Sequence, residues 1–353
     1  MTESVPSAAI STVHWLRQAL GQSPFDKPLP LTAEHKFDVP DWTIARVTGQ
    51  NVRDFLQGQV TCHMQHLSER CALWGAHCNV KGRALANFLI AASGIDTFIL
   101  TPSNTFELLQ SSLKKYGLFN QIAITREDAR LTAAISPQPQ LASQGRMAKP
   151  SVQGRFPAQK LANGLKISLS DQLQLKCTWQ PGDKSYPKTK SFAHAPPLDS
   201  VLWHIGLIHA RLGFITAATA EAFIPIELNM DIRGGIAFDK GCYIGQEIIA
   251  RLHYRGEAKQ RLCGLTLPPD CPLLAPGTAL FQDDDPSPCG TIIQSAQADS
   301  GEGAALAVLR LKKLNPDGTI SMSGIHKPSE SQITLPSKYS LVVAIDPFLA
   351  APL

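Results

Sequence analysis

After Gly256 the chain breaks into short apolar pieces, RLCGLTL, GTALFQ, CGTIIQS, GAALAVL and YSLVVAI, set apart by Pro, Gly and Asp. Pieces of this length between turn residues read as strands. Strands at this spacing close into a small antiparallel barrel or pack as a sandwich. The texture before 256–261 is different, so a domain boundary is placed there.

Upstream, strands and helices mix. WTIARV is strand-like, and Thr48 and Gly49 make a turn. In NVRDFLQGQV, Val52, Phe55 and Leu56 share one helical face. ALWGAHCNVKGRALANFLIAA reads as two strands about a tight turn at Lys81, Gly82 and Arg83, and DTFILTP as another strand. NTFELLQSSLKKYG is a helix with Asn104 as N-cap and Glu107 at its third position. Its apolar stripe is Phe106, Leu109, Leu113 and Tyr116, and Gly117 suits a left-handed stop after Lys114 and Lys115. QIAITRED is strand-like, SPQPQLASQGRMAKPSVQGRFPAQ is loop, and 180–197 is a second turn-rich stretch. Asp199 caps the helix DSVLWHIGLIHARLG, which Gly213 stops. The expected division is an N-terminal extension at 1–34 with one short helix at 13–20, α/β segments at 35–130 and 131–256, and the β unit at 257–353.

A length of 353 residues suits two or three domains. The net charge of +4 is mild and does not demand nucleic acid; no basic stripe with interleaved aromatics is present. No window is apolar for long enough to span a membrane, and the first residues lack the central apolar block of a secretory signal. Eight scattered cysteines without a CxxC pair argue against a disulfide framework, a zinc site and a resident four-cysteine iron–sulfur cluster. The compartment this composition suggests is a reducing cytoplasm.

The chemistry concentrates in DKGCYIGQEIIARLHYRG, residues 239–256. Ile244, Ile248 and Leu252 repeat every four residues, and Glu247 stands four before Arg251, as in a helix. Cys242 then falls at or just before the first turn, where unpaired N–H groups and the positive helix end favour an anion. Lys240 is close in sequence, and both effects would favour the thiolate. Gly241 would admit a backbone shape closed to other residues. Against this stands the plain reading of a free cysteine as a small, buried, inert core residue. On the residues alone the two readings stand side by side.

DKGCYIGQEIIARLHYRG resembles the signature of the YgfZ family of folate-binding proteins, which help maintain iron–sulfur enzymes. NVRDFLQGQVT, CNVKGRALANF and AFIPIELNMDIRGGIAF resemble further pieces of that family, in the same order. The likeness covers about residues 37–261, and the C-terminal part in texture only. The family is similar in fold to the glycine-cleavage T-protein, a tetrahydrofolate-dependent aminomethyltransferase. The resemblance therefore implies an α+β chain, with T-protein-like α/β domains wrapped around a central folate site and a C-terminal antiparallel β-barrel. It also implies a first domain assembled from separate stretches. Two departures stand out. Ala86 and Asn87 occupy the place of an acidic pair in the T-protein, and Asn cannot take a proton as a carboxylate does. His209–Gly213 lacks the acid of the T-protein's R-L-E-A-G segment. Ile226, where Gln is common, and Cys62 with His63, where Asn or Asp is common, depart from the family pattern itself.

A folate offers an aromatic pterin with a donor–acceptor edge and a glutamate tail. The resemblance places Asn229, Gln246 and Glu247 on its polar groups and Lys81, Arg83 and Arg251, with Arg255 nearby, as bases for the tail. Each has a plainer role: Glu247 as a local partner of Arg251, Lys81 and Arg83 as an exposed hairpin tip. Gln59 reads as a helix-end cap, Phe223 and Tyr243 as core, His209 and His253 as satisfied core histidines. The expectation is a cytoplasmic, tetrahydrofolate-binding accessory protein for assembly or repair of iron–sulfur clusters in client enzymes, a tRNA-thiolating enzyme among them. Cys242 would be its reactive thiol. A folate-dependent aminomethyltransferase is the second reading, which the missing acid disfavours, and a non-catalytic client-binding scaffold the third.

Overall fold

The computed structural model describes residues 34–136, 154–179, 198–269, 271–282, 285, 287–297, 303–314, 319–326 and 333–344. The helix expected at 13–20 and the loops expected at 137–153 and 180–197 lie outside them. The elements are β1 (His35–Asp38), β2 (Trp42–Thr48), α1 (Val52–Gln57), β3 (Cys71–Cys78), β4 (Ala84–Ser93), β5 (Asp96–Pro102) and α2 (Phe106–Tyr116). β6 (Ala123–Arg126), β7 (Ala129–Ile135), β8 (Arg155–Leu161), β9 (Gly164–Ser168), β10 (Leu173–Trp179), α3 (Leu198–His209) and α4 (Gln246–Arg255) follow. Strands β1 to β10 form one antiparallel sheet in the order β1-β7-β10-β9-β8-β3-β4-β5-β2-β6. The C-terminal strands β11 (Gln260–Leu267), β12 (Ala279–Phe281), β13 (Gly290–Gln297), β14 (Gly303–Arg310), β15 (Thr319–His326) and β16 (Ile333–Ala344) close a barrel in the order β11-β14-β13-β12-β15-β16. The expected class, α+β with a C-terminal antiparallel barrel, holds.

The sheet is apolar on both faces, because each face meets its own core. In β4, Leu89 and Ala91 point into a core shared with α3, while Ala86, Phe88, Ile90 and Ala92 point into the core beneath α1 and α2. A strand buried on both sides reads as a nearly continuous apolar run, and β4 does so except at Asn87. The same parity explains β14. Ala305, Ala307 and Leu309 fill the barrel, and Ala304, Leu306 and Val308 join the core of the large sheet. The barrel is thereby seated on the rest of the chain through an apolar strand face.

Several local expectations change. The N-cap of α2 is Thr105, and Asn104 instead accepts from the Ala217 N–H at 3.4 Å. Gly117 ends α2 at φ −92, so no left-handed residue is needed there. Asp199 lies within α3, which begins at Leu198. That helix is stopped by Arg211 at φ 54, with Arg211 N–H donating to Ile208 C=O and Leu212 N–H to Leu207 C=O. This is a Schellman stop with arginine in the usual glycine position. Gly213 serves close packing, since a Cβ there would lie 3.1 Å from Leu262 and 3.3 Å from Ile293. Residues 155–159, read as loop, belong to β8, whose pairing with β3 and β9 supplies order that its polar composition does not advertise.

Candidate functional site

The tight turn at Lys81–Arg83 is built by Asn79. Its Oδ1 accepts from the Lys81 and Arg83 N–H groups at 2.9 and 3.1 Å, and its Nδ2 donates to Glu221 at 2.8 Å. Gly82 then takes φ +71. This tip packs on the start of α4, where N-cap Gly245 has φ +80. A Cβ on Gly245 would lie 2.6 Å from Asn79 O and 2.8 Å from Gly82 Cα; one on Gly82 would lie 3.0 Å from Ile248. Two glycines about 160 positions apart thus let two backbones touch. The segment 221–223 closes the other side: Glu221 N–H donates to Ala84 C=O, Ala84 N–H to Phe223 C=O, and Arg83 Nη1 to Ala222 C=O at 2.5 Å.

The turn after α1 meets the same region. Thr61 Oγ1 donates to Gly235 C=O at 2.6 Å and accepts from Ala76 N–H at 2.9 Å, and Ala237 N–H donates to Thr61 C=O. Lys240 turns inward and gives its ammonium to the carbonyls of Gln57, Val60 and Cys62 at 2.6, 2.8 and 2.9 Å. Burial pushes its pKa down to about 8. Tyr243 is buried too, with its ring 5.0 Å from the ammonium. Between these two buried residues Gly241 and Cys242 are exposed. Of the eight cysteines six are buried and Cys71 is half-buried, so Cys242 is the exposed thiol. Burial raises the pKa of the Cys62 thiol to about 12 and that of Cys78 further still.

Three expectations about this motif are corrected. α4 starts at Gln246, so Cys242 sits in the loop three residues ahead of the N-cap and not in the first turn. Lys240 spends its donors on carbonyls of the α1 turn and is not presented to the thiol. The left-handed glycine is Gly245, and a Cβ on Gly241 would meet nothing within 4 Å.

Lys81, Arg83 and Gln246 are brought together with the Cys242 loop by the Gly82–Gly245 contact. Gln246 Oε1 accepts from Tyr243 N–H at 3.3 Å, closing the loop on the helix start. Glu247, Arg251 and Arg255 lie exposed on α4, and no ion pair joins Glu247 to Arg251. Asn229 does not share this surface. It is 1% exposed, holds a left-handed conformation, and donates through Nδ2 to Leu262 C=O at 2.8 Å. Its Oδ1 is buried without a partner among the described residues, as are Trp74 Nε1, Tyr243 OH and Gln59 Oε1. The cap of α1 is Gly58, one residue before Gln59. Phe223 and Tyr243 are buried, as core residues should be. His253 is exposed and stacks on Phe238 at 3.8 Å, so it is not a core histidine. His209 is held inside, where burial first and Arg211 second push its pKa down to about 4, and its Nε2 has no partner among the described residues. Asn87, expected from the resemblance to stand where the T-protein has an acid, is bonded at both ends of its amide. Its Nδ2 donates to Gly213 C=O at 2.7 Å and its Oδ1 accepts from Ile215 N–H at 2.6 Å. Asn79 was missed as the organiser of the hairpin tip, although an Asn two residues before Lys-Gly is a turn signal.

Comparison with known proteins finds relatives along most of the chain. The tRNA-modifying protein YgfZ of Vibrio vulnificus is 29% identical over 280 residues, 79% of this chain and 84% of the relative. That of Escherichia fergusonii is 30% identical over 240 residues, 66% of this chain and 71% of the relative. Among solved structures, glycine cleavage system aminomethyltransferase T from Bartonella henselae matches with a TM-score of 0.53 at 11% identity, over 96% of this chain and 97% of that one. At that identity the likeness is one of fold. No family model matches the chain.

Proposed function

Because this chain belongs to the YgfZ family, whose relatives are named tRNA-modifying proteins, we propose that it is a tetrahydrofolate-binding accessory protein that supports assembly or repair of iron–sulfur clusters in client enzymes, including one that modifies tRNA. The observation that carries this reading is the placing of Cys242. The thiol is exposed between two buried residues, Lys240 and Tyr243, in a loop beside the basic hairpin tip. A surface thiol on a fixed loop is suited to nucleophilic, redox or transient ligand chemistry.

Two separate sets of polar groups support the folate reading, one buried and one on the surface beside Cys242. Asn229 Oδ1, Trp74 Nε1 and Tyr243 OH are buried polar atoms without partners among the described residues, and such atoms call for a ligand or water. Gln246 and Glu247 stand at the start of α4, and Lys81, Arg83 and Arg251 are the exposed bases for the glutamate tail. Bound tetrahydrofolate would supply one-carbon carriage on its reduced ring nitrogens.

Aminomethyl transfer is disfavoured by a specific contact. Both ends of the Asn87 amide are committed to backbone groups, so the residue has no proton-accepting atom to offer a substrate. Two experiments test the proposal. A Cys242→Ala chain should fold normally and fail to restore cluster-dependent activity in a strain lacking the protein; full rescue refutes the thiol's role. Calorimetry with tetrahydrofolate should give binding to wild type and to Cys242→Ala, with weaker binding to Asn229→Leu. A silent Cys242→Ser, with loss only on surface changes, would favour a plain scaffold for clients.

A further inference from the structure

Lysine is almost never fully buried unless something pairs with it. Lys240 is 9% exposed and has no carboxylate partner among the described residues; three backbone carbonyls receive its ammonium instead. An ammonium has three donors, and all three are used. We propose that Lys240 is a positioning residue, the internal clamp that fixes the Cys242 loop by its geometry and not by its charge near the sulfur. The inference rests on the reading of Cys242 as the working thiol.

The acceptors form a rigid base. Gln57 is the last residue of α1, so its carbonyl has no partner within the helix. Val60 and Cys62 flank Thr61, which is stitched to β3 through Ala76 and to the 235–237 segment through Gly235 and Ala237. Into this base Lys240 fits from one end of the loop. At the other end Tyr243 is buried at 7% exposure, lies 5.0 Å below the ammonium, and donates its N–H to Gln246. Gly241 and Cys242 are left as a two-residue bulge pinned at both ends. The order Lys-Gly-Cys-Tyr is then a structural formula: anchor, bend, thiol, anchor. Arginine would not replace the first anchor, because a planar fork does not converge on three carbonyls around one nitrogen.

The test uses full-length Lys240→Met and Lys240→Gln. Amide exchange, read by mass spectrometry on peptides covering 239–245 and, as a control, α2, reports the clamp directly. Iodoacetamide alkylation of Cys242 across pH reports charge. Lys240→Met should keep the wild-type circular dichroism and the α2 exchange, while the 241–243 amides exchange at least tenfold faster. The pH midpoint of alkylation should not move. Lys240→Gln, which keeps two donors, should fall between; it carries the test if the methionine variant does not fold. Wild-type exchange at 241–243 overturns the proposal, as does faster exchange spread over the whole chain. A midpoint raised by about one unit also overturns it, since that marks a lost neighbouring cation. These readouts do not depend on cluster activity, so full rescue by Cys242→Ala would remove the role of the thiol and leave the clamp standing.

Discussion

The two glycines beside Cys242 should respond in opposite ways to the same change. Gly245→Ala puts a Cβ on a residue at φ +80, which costs an L-residue about 1–2 kcal/mol. That Cβ would lie 2.6 Å from Asn79 O and 2.8 Å from Gly82 Cα. Both are backbone atoms of a turn held by three hydrogen bonds to Asn79, so the hairpin tip and α4 must part. Forced overpacking of this kind costs about 1–3 kcal/mol. Alanine's stiffer unfolded chain returns about 0.4–1 kcal/mol. The net loss is about 1–4.6 kcal/mol. Gly241→Ala meets nothing within 4 Å and should stay within about 0.5 kcal/mol of wild type. Urea unfolding followed by tryptophan fluorescence suits the comparison, since Trp74 and Trp203 are fully buried. Equal midpoints for the two variants would refute the packing of tip on helix.

Three further outcomes are expected. The pKa of His209 is depressed in the folded chain to about 4, below the ordinary value near 6.5, so the unfolded chain takes up this proton first. Stability contributed by the neutral ring is full above pH 6.5 and is lost as pH falls toward 4, by about 3 kcal/mol; His209→Gln should flatten that part of an acid-unfolding curve. Asn87→Ala strands the Gly213 carbonyl and the Ile215 N–H inside the core and should cost about 2–4 kcal/mol by urea unfolding, while Asn87→Asp should gain no aminomethyl transfer in a folate assay. Native chain treated with Ellman's reagent should release one thiol equivalent quickly, and Cys242→Ser should abolish that phase; three or more fast equivalents would contradict the burial of the other cysteines.

Strands whose burial is symmetrical could be read from the sequence because their apolar runs are nearly continuous. DTFILTP is β5 to the residue, and RALANFLIAA covers β4 from Ala84 to Ala92, one residue short of its end. Five of the six barrel strands were legible as short apolar pieces; β15, TISMSGIH, was not among them. β8 was not, because RFPAQKL has one fully buried residue, Phe156, and its order comes from partners distant in the chain. Helix ends were misread where sequence offers two candidates for one role. Asn104 and Thr105 both suit an N-cap, and Gly213 suits a stop better than Arg211 does, yet the hydrogen bonds at Ile208 and Leu207 place the stop at Arg211. Local propensity ranks such candidates, and tertiary packing chooses among them.

The site shows where reading along the chain fails in principle. Lys240 and Cys242 are two residues apart, and proximity in sequence suggests that one cation tunes one thiol. A lysine side chain reaches far enough to choose either direction, and here the turn after α1 supplies three carbonyls while the solvent side supplies none. Burying the ammonium costs desolvation, which the fall in its pKa records, and the three hydrogen bonds offset that cost only if the carbonyls are held in place beforehand. Thr61 holds them. The residue that gives Lys240 its task therefore lies about 180 positions away, in a segment whose own sequence, FLQGQVT, announces only a helix end. What the sequence could reveal was that these segments occur together; what each does for the thiol follows from the contacts that only the folded chain contains.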